Sequence, residues 1–93
     1  MPQWKVKLEG DEGTLGQLAQ NFTDKEACVR RDGVEWYLES TQFEFFTDHN
    51  DVKAKGAEIV SQMLQSGKVA GGGNIALTKM VRIHYDNSKS VFT

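Results

Sequence analysis

The chain has one cysteine among its 93 residues, Cys28, so no disulfide can close within it, and a reducing compartment is the simplest fit. No run approaches the ~18 apolar residues that a bilayer-spanning helix needs. Met1-Pro2-Gln3-Trp4 lacks the basic stretch leading into an apolar one that marks a signal peptide. These absences point to a cytoplasmic protein with no membrane partner. Excess positive charge is missing too: the net charge is −2, which argues against general affinity for nucleic-acid phosphates. The charge is uneven, net −5 over residues 32–58 and net +3 over residues 68–93, yet no block of like charge occurs, so both stretches read as solvated surface.

The signatures of common chemistries are also lacking. Ser66-Gly67-Lys68-Val69 has neither the leading glycine of a phosphate loop, since position 62 is Gln, nor its trailing hydroxyl. Gly71, Gly72 and Gly73 precede a strand rather than a helix, so they lack the helix N-terminus that favours anions and read as a flexible connection. Asp48, His49, Asn50 and Asp51 cluster without calcium-loop spacing, and neighbours at a helix start cannot all reach one ion. Helix capping explains them without a metal. No Gly-x-Ser-x-Gly elbow and no His-Glu-x-x-His is present. The residues therefore call for no cofactor, no metal and no assigned catalytic group.

What is present is pattern. Trp4, Val6 and Leu8 alternate with Lys5, Lys7 and Glu9, a half-buried strand. Thr14 stands three before Gln17, the spacing of a capping box, and Leu15, Leu18, Ala19 and Phe22 follow at helical spacing. Residues 21–25 read as a loop. Asp32-Gly33 between two strand-like runs predicts a hairpin with a type I′ turn, which sets Val29 opposite Trp36 and Arg30 opposite Glu35. Phe43, Phe45 and Phe46 continue in extended form and close the core. Val52, Gly56, Ile59, Val60, Met63 and Leu64 then recur at spacings of three and four, one face of a helix over residues 48–67 capped by Asp48 and ended by Gly67. Gly56 marks a close approach to the sheet. Ile75, Leu77, Val81, Ile83 and Tyr85 alternate with Ala76, Thr78, Met80, Arg82 and His84, with Lys79 the one break.

The fold class is α+β: one domain over residues 1–93, two helices on an antiparallel sheet, with a further strand beginning at Ser90. The element order is that of the ferredoxin-like βαββαβ motif, sheet order 4-1-3-2. An antiparallel meander crossed by two helices is the alternative. In the first arrangement one sheet face is open and carries Lys5, Lys7, Arg30, Glu35, Tyr37, Glu39, Met80, Arg82 and His84. Tyr37 alone on the central strands, without the basic-Gly-aromatic pattern, argues against RNA. Cys28 and His84 fall on opposite edges, too far apart for a nucleophile–base pair.

The expected role is a non-catalytic protein-interaction or regulatory module, the N-terminal domain of a longer protein or self-associating as a homodimer. Its interaction surface comprises Tyr37, Met80, Arg82 and His84 with the tail residues Val91 and Phe92. The competing expectation is a small enzyme or ligand-binding domain with its pocket near Gly71–Gly73. The turn gives the first prediction. Gly33→Val forces a β-branched residue to positive φ and is expected to cost about 1–2 kcal/mol, read as a lowered urea midpoint. An unchanged midpoint would remove the turn.

Overall fold

The computed structural model describes residues 3–70 and 74–93. β1 (Gln3–Gly10) buries Trp4, Val6 and Leu8 on one face and half-buries Lys5 and Lys7 on the other, as strand alternation requires. α1 (Glu12–Asn21) starts earlier than the Thr14–Gln17 spacing predicts. Asp11 is the N-cap, and its Oδ2 accepts from the Thr14 amide at 2.9 Å and the Thr14 hydroxyl at 3.0 Å. Gln17 is engaged elsewhere: its Oε1 accepts from the Ala70 amide at 2.8 Å, which holds the segment after the second helix against α1.

The expected loop at residues 21–25 contains a two-residue strand, β2 (Thr23–Asp24), paired with β3 (Ala27–Asp32). β3 and β4 (Glu35–Glu39) form the predicted hairpin with its loop displaced by one residue. Asp32 faces Glu35, so the two loop residues are Gly33 and Val34. Only Gly33 of these has positive φ, +64°. That is the type II′ requirement, whereas the expected type I′ loop at Asp32-Gly33 would have put both Asp32 and Gly33 at positive φ. Moving the loop by one residue moves each pairing by two, so no side chain changes face. Val29 therefore meets Leu38 instead of Trp36, and both are buried.

The aromatic run is not extended. Ser40 caps a 3-10 turn at Thr41–Phe43, which drives Phe43 fully into the core and leaves Phe45 79% exposed. α2 (His49–Leu64) is capped by Asp48, which accepts from the Asn50 amide at 2.8 Å. Val52, Ile59, Val60 and Met63 are buried on its core face. A Cβ on Gly56 would lie 2.9 Å from Leu77 Cδ2 and 3.6 Å from Leu38 Cδ2, so the absent side chain is what lets the helix sit this close to the sheet. β5 (Ile75–Ile83) and β6 (Lys89–Phe92) are the remaining strands among the described residues.

The sheet order is β2-β3-β4-β1-β5-β6, and every pairing is antiparallel. The protein is thus a mixed α+β domain with two helices packed on a six-stranded antiparallel sheet. Leu15 and Leu18 of α1 and Ile59 and Met63 of α2 share one core with Val6, Leu38 and Met80, so both helices lie on the same face.

One irregularity corrects the expected faces of β5. Lys7 pairs with Lys79 but Leu8 pairs with Leu77, so Thr78 has no opposite residue on β1. Such a bulge reverses the alternation that continues past it. Ile75 and Leu77 pack on the helix side, and so does Met80, which is 0% exposed; Arg82 follows Met80. Val81 and Ile83 turn to the other face. Met80, Arg82 and His84 therefore do not belong to the open face. The Lys79 break in the apolar pattern is where the strand adjusts, and the bulge leaves that ammonium on the side with water.

Two single-residue deletions are expected to differ. Removing Thr78 restores unbroken alternation, discards a buried hydroxyl with no partner among the described residues, and keeps every face. It should leave a cooperative melt within about 8 °C of the parent, the shift of roughly 1 kcal/mol at this size. Removing Val81 sends the residues beyond it to the wrong faces and should abolish the transition. Equal loss in both would place the irregularity elsewhere.

Candidate functional site

The face that neither helix covers is built from residues that pair across the strands. One row runs Thr23, Cys28, Glu39, Lys5, Val81 and Val91 from β2 to β6, and the next runs Arg30, Tyr37, Lys7 and Lys79. The β3–β4–β1 part carries linked charges. Tyr37 donates from its hydroxyl to Glu35 Oε2 at 2.9 Å, and Lys7 Nζ lies 3.4 Å from the same oxygen. Lys5 Nζ sits 4.2 Å from the Tyr37 ring centroid and 3.8 Å from Asp32. The Tyr37 hydrogen bond, then the Lys7 hydrogen bond and charge, hold the Glu35 carboxyl below its usual range. Burial, then the bond to Glu35, pushes the Tyr37 phenol up.

At one end of this face lies a cleft of about 560 Å³. Lys5, Cys28, Arg30 and Glu39 form its floor, and Ile83 closes the β5 side. Its walls are the β2–β3 turn, with Thr23 and Lys25, and the chain entering the 3-10 turn, with Ser40, Thr41 and Glu44. The walls are tied together: the Thr41 amide donates to the Lys25 carbonyl at 3.1 Å, and the Ser40 hydroxyl donates to the Glu26 carbonyl. On the floor, Arg30 Nε lies 3.4 Å from Glu39 Oε2, with Cys28 Sγ 4.0 Å from that same oxygen.

Of the six residues expected to form one interaction surface, the structure divides four from two. Tyr37 and Val91 are on the uncovered face. Met80 is in the core, and Arg82, His84 and Phe92 lie on the helix side. There Arg82 sits with its guanidinium carbon 5.5 Å from the Trp4 ring, and the Trp4 indole donates to the Phe46 carbonyl at 2.9 Å. Phe92 stacks on His49 at 4.4 Å and 6°, and His84 Nε2 is 2.8 Å from Ser90 Oγ. Cys28 and His84 stay apart, with β4 and β1 between them and on opposite faces. Asp48 and His49 are occupied in the cap and the stack, and no three His, Cys, Asp or Glu side chains converge as a metal site among the described residues. Gly71, Gly72 and Gly73 lie outside the described residues. The cleft beside Asn74, of about 280 Å³ between α2 and β5, is lined by no titratable side chain.

Sequence reasoning missed the larger cleft because its walls are turns. A two-residue strand has no period to detect, and a 3-10 turn has too few residues for one. The Lys79 break was the available signal for the displaced Val81 and Ile83. No helix among the described residues is long and apolar enough to cross a membrane. No protein-family model, curated protein or solved structure matches the chain.

The Glu35–Tyr37 bond predicts a pH dependence. A carboxyl whose pKa is depressed on folding adds stability above its unfolded value near 4.5, and loses it as pH falls through the lower folded value. Tyr37→Phe removes the first cause of the depression, so melting temperature should fall less between neutral pH and pH about 3 than in the parent. An identical acid-side profile would show that the bond does not form in solution.

Proposed function

We propose that this domain is a non-catalytic interaction module that pairs with a second copy of itself through the uncovered sheet face. One observation carries the reading: the bulge at Thr78 turns Val81, 5% exposed, and the half-buried Ile83 onto that face beside Val91, which is 55% exposed. An antiparallel sheet with one solvated face normally shows polar residues there. The β3–β4–β1 part does, whereas the β5–β6 part sets Val81, Ile83 and Val91 between Lys79 and Lys89. A contiguous apolar strip rimmed by charge is the composition of an interface.

A second copy fits because a two-fold axis along the β5–β6 strip sets Val81, Ile83 and Val91 of each copy against the same residues of its mate. β6 is also an edge strand, whose outer backbone groups can extend the sheet. The fold proposal is finer than the α+β class. The inner strands β3-β4-β1-β5 with α1 and α2 form a ferredoxin-like split βαβ, and β2 and β6 are additions at its two edges. The reading as a regulatory module in the cytoplasm rests on the same face, together with the single cysteine. The alternative site near Gly71–Gly73 gains nothing from the small, non-titratable cleft at Asn74.

Val91→Asp tests the pairing without touching the core. Sedimentation equilibrium over a concentration series should show a dimer in the parent and a dissociation constant raised about tenfold or more in the variant, the effect of burying one unpaired charge. A parent that stays monomeric at high micromolar concentration would end the proposal.

A further inference from the structure

We propose that the cleft between the β2–β3 turn and the 3-10 turn binds a small zwitterion with an apolar body, of the class of a free amino acid with a large side chain. This goes beyond self-association: it shares Ile83 with the apolar strip but turns on Lys25 and Glu44, which the pairing does not use. Its volume of about 560 Å³ falls in the range of small-molecule sites. Its walls are joined by the Thr41–Lys25 and Ser40–Glu26 bonds, so the shape is held by backbone carbonyls on both counts.

The ligand's charge follows from which lining charges are already used. Glu39 is held by Arg30, and the Lys5 ammonium is drawn across Tyr37 to Asp32. Lys25 and Glu44 remain: both are exposed, both line the cleft, and neither makes an ion pair among the described residues. They have opposite sign. A carboxylate suits Lys25 and an ammonium suits Glu44, while a ligand with one charge leaves the other group unanswered. The Thr23 and Thr41 hydroxyls add donors and acceptors beside the charges, and Ile83 gives the far end an apolar surface.

Three probes of similar size separate the possibilities: L-phenylalanine, 3-phenylpropionate, which lacks the ammonium, and 2-phenylethylamine, which lacks the carboxylate. Each is titrated into the whole chain, with backbone amide shifts of Thr23, Lys25 and Thr41 followed by NMR. L-phenylalanine should saturate these shifts at a concentration about tenfold below either analogue, the effect of one charge-assisted contact. Lys25→Ala should weaken L-phenylalanine to the level of the amine, and Glu44→Ala to the level of the acid. Both side chains are exposed, so the unaltered remainder of each spectrum reports an intact fold. Val91→Asp should leave the titration unchanged, which keeps this test separate from that of the dimer. No shift with L-phenylalanine up to about 10 mM overturns the proposal, as does either analogue binding equally well, or both variants binding as the parent does.

Discussion

Strand alternation has a period of two, and one unpaired residue in β5 changes what the whole sheet presents. With Thr78 outside the ladder to β1, Leu77 and Met80 both pack beneath the helices although three positions separate them. Gly56 can then approach Leu77 closely, and α2 seats on β5 and β1 together. Lys79 escapes burial by the same adjustment. The core beneath α2 and the apolar strip on the other face are thus two results of one backbone irregularity.

The uncovered face is divided by its chemistry. From β3 to β1 its charges answer one another within the chain, through Arg30–Glu39, Lys7–Glu35 and Lys5–Asp32. Exposed pairs of this kind add little stability, a median of about 0–1 kcal/mol each. They set orientation and solubility more than they hold the fold. From β5 to β6 the face sets apolar residues between Lys79 and Lys89: Val81 is covered by its neighbours, Ile83 is half-buried, and Val91 meets water. On the helix side, the sheet's end is closed by aromatic groups: Trp4 against Phe92, and Phe92 against His49. That closure ties β6 to the start of α2, so the last strand is held by more than its ladder to β5.

The parts legible in the sequence are those with a sustained period. α2 was readable because its apolar residues repeat over four turns, but it ends at Leu64 with Gln65 as its C-cap, and Gly67, at φ +80°, turns the chain two residues later. The hairpin faces were readable, though not its pairing. Asp-Gly and Gly-Val loops both satisfy the same alternation, and the choice turns on which residue must take positive φ. The β5 faces were misread because a one-residue bulge leaves no trace in periodicity except a misplaced charge. The start of α1 was misread because Asp11 and Thr14 both carry capping groups, and Asp11 accepts from Thr14 twice. The cleft was invisible because it comes from the docking of two turns far apart in sequence, Lys25 against Thr41, and neither turn announces the other.

The strand order also governs how the chain can reach this state. β1 sits in the interior of the sheet, between β4 and β5, and Trp4 pairs with Arg82 near the opposite end of the chain. The β3–β4 hairpin can close early because its loop is two residues long. One side of β1, however, has no ladder partner until β5 arrives. Loop-closure entropy makes that pairing the slowest to nucleate, and a high share of such distant pairs slows folding. During synthesis β1 therefore waits for β5, about seventy residues later. A chain interrupted before β5 exposes the edge of β1 to any other strand within reach.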